Sequence, residues 1–264
     1  MPAIDPARLD EKLAGISALI GQPEEMLKEL EALFEFYADR TRRSPAVARA
    51  TDSVSHFGAP EPVVRRAQRS IHHQVVQNEL DPEPLIECFW HAGEREMRLL
   101  AVGLMTELPW LQAVEWAEEM AETTQDPKVI QSLSQQGLAG WREISLEEVL
   151  PLMRIWLHRD SQSFQLLALQ LLREQLEAAT SDQVLEFLRV LSGSAGRVRT
   201  SARAELQNLF RRLAELNPPE TAQFLLDEGR SHHWEAGYQS LVKEALESFP
   251  GAQQQEIRAA LMAQ

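Results

Sequence analysis

Amphipathic segments return along this chain at a nearly fixed interval, and that interval limits the folds open to it. Long apolar helical runs begin at Gly93 (GEREMRLLAVGLM), Asp126 (DPKVIQSLSQQGL), Asp160 (DSQSFQLLALQLL), Gly196 (GRVRTSARAELQNLF) and Ser231 (SHHWEAGYQSLVKEAL), which lie 33, 34, 36 and 35 residues apart. A repeat of that length holds one helix pair, whose apolar face must stack on its neighbours to leave water. Apolar residues recur at three and four spacing, as in Met26, Leu27, Leu30, Leu33, Phe34 and Tyr37, and alternating β-branched runs are missing. Helix breaks are expected at Pro45, Pro60 with Pro62, Pro82 with Pro84, Pro109, Pro151, Pro218 with Pro219, and Pro250 with Gly251. These cut the chain into about fourteen short helices. The expectation is an all-α solenoid, an α-α superhelix with a concave side. It forms one domain over residues 1–264, with N-terminal capping helices in 1–44, repeats in 45–249 and a C-terminal helix in 250–264.

The chain has 264 residues, enough to bury a core without disulfide or metal support. Its one cysteine, Cys88, reads as a buried thiol, which excludes a disulfide framework and a Cys-rich zinc site. No apolar run approaches the roughly 18 residues of a membrane span, so a cytoplasmic location is expected. The net charge of −14 argues against a surface uniformly suited to DNA, because duplex binding rests on Lys and Arg replacing condensed counterions. Two islands run the other way. Residues 40–69 hold seven arginines (40, 42, 43, 49, 65, 66 and 69) against Asp52 and Glu61, a balance of +5. Residues 197–212 hold five (197, 199, 203, 211 and 212) against Glu205, a balance of +4, which leaves −23 on the rest. Such islands suit either a nucleic-acid face or solvated helix faces.

The repeat period alone does not separate tetratricopeptide from HEAT-like pairs, although the Trp, Gly, Tyr and Pro pattern of the former is absent. Two blocks do more. In HFGAPEPVVRRAQRSI (residues 56–71), an aromatic-Gly element, Phe57-Gly58, precedes Pro62 and the paired Arg65 and Arg66. In LIECFWHAGEREMRLLAVGLM (residues 85–105), Phe89 and Trp90 precede Glu94, Arg95, Glu96 and Ala101. Both blocks resemble the DNA alkylation repair family of HEAT-repeat glycosylases, of the AlkD type, over roughly residues 45–245. The resemblance implies a HEAT-like repeat solenoid and double-stranded or damaged DNA as partner. It implies hydrolysis of the N-glycosidic bond of cationic alkylated purines by an Asp carboxylate, two Trp faces and an Arg, with no metal and no cofactor. Trp90 is expected to close a repeat core, and Glu94 and Glu96 to begin a helix at its positive end.

Carried across residue by residue, the family's functional side chains are missing. In the register set by Glu118 and Glu119, the first Trp falls on Pro127 and the catalytic Asp on Gln131. The Arg falls on Leu166, and the second Trp, placed by Asn217 and Pro218, on Asn208. Arg211 matches a basic position. Losing one charged transition-state stabiliser costs about 2.7 to 4 kcal/mol, roughly 10²- to 10³-fold in rate. The expectation is therefore a nucleic-acid-binding member without normal glycosylase activity, with Arg65, Arg66, Arg197, Arg199, Arg203 and Arg211 as its contacts. A protein-interaction solenoid is the alternative. Surviving activity would need a relocated carboxylate, for which Asp126 is the nearest candidate, although Asp126 before Pro127 also reads as a helix N-cap.

The adjacent pairs His72-His73 and His232-His233 diverge by about 100° on a helix and do not suit one metal. The stretch SGSAGRVRTSAR (residues 192–203) suits either a phosphate seat or an inter-repeat turn. Trp110, Trp116, Trp141, Trp156 and Trp234 read as core residues.

Overall fold

A computed structural model describes residues 5–38, 55–195, 197–199, 202–231 and 234–263. Among these residues the protein is all-α, with fourteen α-helices and no strand. They are α1 (Pro6–Ser17), α2 (Pro23–Tyr37), α3 (Glu61–Gln77), α4 (Glu83–Ala92), α5 (Arg95–Leu104), α6 (Trp110–Thr123) and α7 (Pro127–Ser132). There follow α8 (Leu146–His158), α9 (Gln162–Glu177), α10 (Val184–Leu191), α11 (Arg203–Leu216), α12 (Pro218–Ser231), α13 (Ala236–Ala245) and α14 (Gly251–Met262). The expected boundary at residues 44 and 45 lies outside the described residues, as do Pro45, Arg40, Arg42, Arg43, Arg49 and the pair His232-His233.

The chain divides into two compact units, Met1–Gly140 and Trp141–Gln264. Each is a two-layer stack of HEAT-like helix pairs. In the first unit α1, α3, α5 and α7 pack in sequence as one layer, and α2 packs on α4 in the other. There α6 is tied to α4 by Trp116, whose Nε1 donates to Glu83 Oε1 at 3.4 Å. In the second unit α9, α11 and α13 form one layer, and α8, α10, α12 and α14 the other. The runs that mark the repeat period lead into α5 and α7 of the first unit and into α9, α11 and α13 of the second.

The helix starts differ in detail. α11 begins at Arg203 rather than Gly196, and Ser231 closes α12, so α13 begins only at Ala236. Glycine and hydroxyl residues before those helices favour turns over helix. α7 ends at Ser132 and widens into a π-turn over Leu133–Gly137. Pro151 does not end a helix but lies inside α8. Its ring is on the exposed side while Val149, Leu150, Met153, Trp156 and Leu157 are buried, and that burial outweighs the roughly 3 kcal/mol cost of an internal proline. Trp90, Trp141, Trp156 and Trp234 are buried as expected. Trp110 and Trp116 are only half-buried, because α6 turns its small residues Ala113, Ala117 and Ala121 inward with Met120.

The two motif blocks meet in the first unit. Glu96 is buried on α5 and accepts the backbone N–H groups of Phe57, Gly58 and Ala59 at 3.0, 2.8 and 3.0 Å. Gly58 takes a positive φ of 78°, a conformation glycine adopts without steric cost. The carboxylate thereby fixes the turn that leads into α3.

Candidate functional site

Charge is sorted by layer in the first unit. Helices α1, α3, α5 and α7 carry eight cations (Arg8, Lys12, Arg65, Arg66, Arg69, Arg95, Arg98 and Lys128) against four carboxylates (Asp10, Glu11, Glu61 and Glu96). Helices α2, α4 and α6 carry eleven carboxylates against Lys28 alone. The N-caps Asp5, Glu94 and Asp126 add three carboxylates to the first layer, which is then close to balanced while the other is strongly anionic, so an anionic ligand is repelled far less from one layer than from the other. In the second unit the layer of α9, α11 and α13 is neutral, with five cations and five carboxylates.

Helix α3 supplies three of the eight cations, more than any other helix of the layer. Arg65, Gln68 and His72 follow one stripe at three and four spacing, and Arg69 lies beside it, exposed. Arg65 pairs with Glu61 one turn earlier, and both side chains are more than two-thirds exposed, so water and salt weaken the pair. Arg66 forms a two-pronged pair with Asp10 of α1. That bond holds the Asp10 carboxyl below its ordinary pKa and raises the Arg66 guanidinium. His72 Nε2 lies 2.7 Å from Glu107 Oε1. Gln68 reaches over α5 and donates to Gln136 Oε1 in the π-turn at 2.8 Å.

Asp126 is not available to a substrate. Its side chain is 1% exposed, pairs with Arg95 and accepts the Lys128 N–H at 2.9 Å as the N-cap of α7, ahead of Pro127. Beside it the Arg98 guanidinium lies 4.7 Å over the Trp90 ring and donates to Thr124 Oγ1 at 3.3 Å. Burial pulls the Arg98 pKa down against the opposing pull of Asp126 and Glu94.

The remaining expected site residues scatter. Pro127 and Gln131 are exposed on α7, Asn208 is exposed on α11, and Leu166 is buried on α9. In the second unit Arg199 pairs with Asp160 at 2.8 Å, and its N–H is held by Gln165 Oε1 at 3.0 Å. Arg203 packs against Gly237 of α13, where an added Cβ would lie 2.6 Å from the guanidinium. Arg197 and Arg211 are exposed, with no ion pair among the described residues. The turn at Ser192 and Gly193 does not offer its donors to a phosphate. Ser192 Oγ and Gly193 N–H both donate to Glu228, at 3.0 Å for the closer contact of each.

Cys88 is half-buried rather than fully buried, beside an open cavity of about 660 Å³ that Pro23, Pro84, Glu24 and Glu87 also line. Burial, with Glu24, Glu31 and Glu87 nearby, pushes its thiol pKa up, away from the reactive thiolate. Among the described residues no three His, Cys, Asp or Glu side chains converge as a metal site, and no helix is long and apolar enough to cross a membrane.

Sequence reasoning found the arginines of α3 but missed the layer-wise sorting of charge, the Glu96 bonds and the Gln68–Gln136 bridge. The first was accessible by counting charge helix by helix. The other two carry no local signal. In a comparison with known families, residues 27–249 match the family described as DNA alkylation repair enzyme. No curated protein and no solved structure matches the chain.

Proposed function

The chain belongs to the DNA alkylation repair enzyme family, and we propose that it is a cytoplasmic, nucleic-acid-binding member that lacks the family's usual glycosidic-bond hydrolysis. The observation that carries this reading is the charge sorting of the first unit, eight cations against four carboxylates in one layer and eleven carboxylates against one lysine in the other. With the cap carboxylates counted the first layer stays near balance, so a phosphate backbone can approach the exposed Arg65 and Arg69 from that side and is repelled from the other, despite a net charge of −14. Arg65 and Arg69 are its principal exposed contacts, Arg66 lies behind them, and Arg197, Arg199, Arg203 and Arg211 form a secondary set in the second unit. Loss of hydrolysis follows from Gln131 where the resemblance places the carboxylate. Asp126 offers no substitute, since it is engaged by Arg95 and by the start of α7.

Binding to duplex, nicked and branched DNA across a salt series tests the proposal. Affinity should fall with log salt, and the double variant Arg65→Ala, Arg69→Ala should flatten the slope by about 0.9 for each phosphate that is no longer neutralised. Absence of binding even at low salt removes the reading. Alkylated DNA incubated with the protein should release no purine above background, and release would restore the catalytic alternative.

The eleven carboxylates of α2, α4 and α6 favour a second reading, a basic protein partner on that layer. Charge reversal in α2 and α6 should abolish such a contact and leave DNA binding intact.

A further inference from the structure

The bridge between Gln68 and Gln136 is built with unusual care for an exposed pair of amides. Both Gln68 Nε2 protons are used, one on Gln136 Oε1 at 2.8 Å and one on the Leu99 carbonyl at 3.4 Å. These two acceptors fix which end of the Gln68 amide is nitrogen. Helix α5 is cut away beneath it, because Gly103 lies where a Cβ would sit 1.8 Å from Gln68 Nε2. On the far side the π-turn is pressed onto α5 through Gly137, where a Cβ would meet Met105 Sδ at 3.1 Å and Val102 Cγ1 at 3.2 Å. Two glycines and a widened turn, closed by the Leu138 N–H to Leu133 carbonyl bond of 2.9 Å, thus let α3 and the end of α7 touch across the helix between them.

As bonded, the pair leaves Gln68 Oε1, an acceptor, and Gln136 Nε2, a donor of two protons, without a partner among the described residues. They lie in the layer of α1, α3, α5 and α7. Arg65 shares the α3 stripe with Gln68, Arg69 is its neighbour, and exposed Lys128 begins the short helix that runs into the Gln136 turn. A bare phosphate offers acceptors only, so it has no use for Gln68 Oε1. A base edge offers both kinds of group, ring nitrogens and carbonyl oxygens for Gln136 Nε2 and an exocyclic amine for Gln68 Oε1.

We propose that Gln68 and Gln136 form a fixed two-residue amide fork that contacts a base edge of the nucleic acid, while the flanking cations hold its backbone. This rests on the nucleic-acid reading of the first unit and adds to it the point at which bases are touched.

Fluorescence anisotropy with a labelled duplex, repeated over a salt series, tests the fork with two variants that act by different routes. Gln136→Ala removes the donor. Gly103→Ala places a methyl group where the Gln68 amide now crosses, and because alanine is the better helix former by up to about 1 kcal/mol it should not weaken α5. Each variant should lower affinity about tenfold with an unchanged salt slope, the pattern expected when a base is no longer touched. Thermal midpoints close to wild type show that the loss is not unfolding. Wild-type affinity in Gln136→Ala overturns the fork while leaving the nucleic-acid reading intact. A loss accompanied by a flatter slope also overturns it, because the amide then contacts phosphate. If the wild-type protein binds no duplex at low salt, the nucleic-acid reading fails and the fork fails with it.

Discussion

Replacing Glu96 tests the bond that joins the two motif blocks. Its carboxylate accepts three successive backbone N–H groups, those of Phe57, Gly58 and Ala59. A hydrogen bond to a charged group is worth about 1.5 to 3 kcal/mol, and a buried donor left without a partner loses its full desolvation cost. Only the Phe57 bond is fully buried. The other two are half-buried, and water replaces part of what they lose. Assigning about 2 kcal/mol, near the middle of that range, to Phe57 N–H and about 1 kcal/mol to each of the others puts Glu96→Ala near 4 kcal/mol. Glu96→Gln keeps one acceptor oxygen, which can still serve Gly58 and Ala59, but turns an amino group toward Phe57 N–H. It should cost about 2 kcal/mol. For a protein of this size 1 kcal/mol moves the thermal midpoint by about 2 to 4 °C, so the alanine variant should melt about 8 to 16 °C lower. Urea unfolding should show the same ranking, with midpoints shifted and slopes shared. If Glu96→Ala costs less than about 1 kcal/mol, the turn before α3 is held by its own backbone and the argument is wrong.

Three further substitutions separate packing from charge. Asp126→Ala removes the α7 cap and leaves Arg95 with its charge partly buried, so urea unfolding should register a loss of about 3 to 5 kcal/mol; a change under about 1 kcal/mol would show that Asp126 is not structural. Gly229→Ala pushes a methyl group to within 2.6 Å of the buried Trp234 ring, and overpacking of that kind should lower stability by about 1 to 3 kcal/mol in the same measurement. Glu174→Gln should behave in the opposite sense. Burial raises the Glu174 carboxyl pKa despite the pull of Arg142 and Arg173, so its charged form opposes folding above the folded pKa, and that penalty is relieved as the pH falls toward the unfolded value. The variant should be at least as stable as wild type at pH 7, with its advantage shrinking as the carboxyl protonates; a growing advantage on acidification would refute the sign.

Architecture was legible because it rests on periodicity. Burial of one stripe per helix is repeated in every pair, so the interval between Gly93, Asp126 and Asp160 survives as a spacing in the chain. Helix starts were less legible where glycine and hydroxyl residues, as in residues 192–203, compete between turn and helix. The π-turn at Leu133–Gly137 was not legible at all. One extra residue in a single turn leaves the apolar pattern almost unchanged, although it decides where Gln136 points.

The site was harder to read because neighbouring residues in the chain belong to opposite layers. A window such as 40–69 gathers charge from one stretch, whereas a ligand meets charge from α1, α3, α5 and α7 together, helices drawn from across some 120 residues. The second basic island shows the consequence. Its arginines stand out in sequence, yet Asp160 comes from outside the island to meet Arg199, and Glu215 from just beyond it to meet Arg212. In the first unit the same rule works the other way, because eleven of its acids are gathered on α2, α4 and α6 against Lys28 alone. Net charge is thus a poor guide to partners for a layered repeat protein. The charge of alternate helices is the quantity that a ligand encounters, and it can be counted from sequence once the pairs are known.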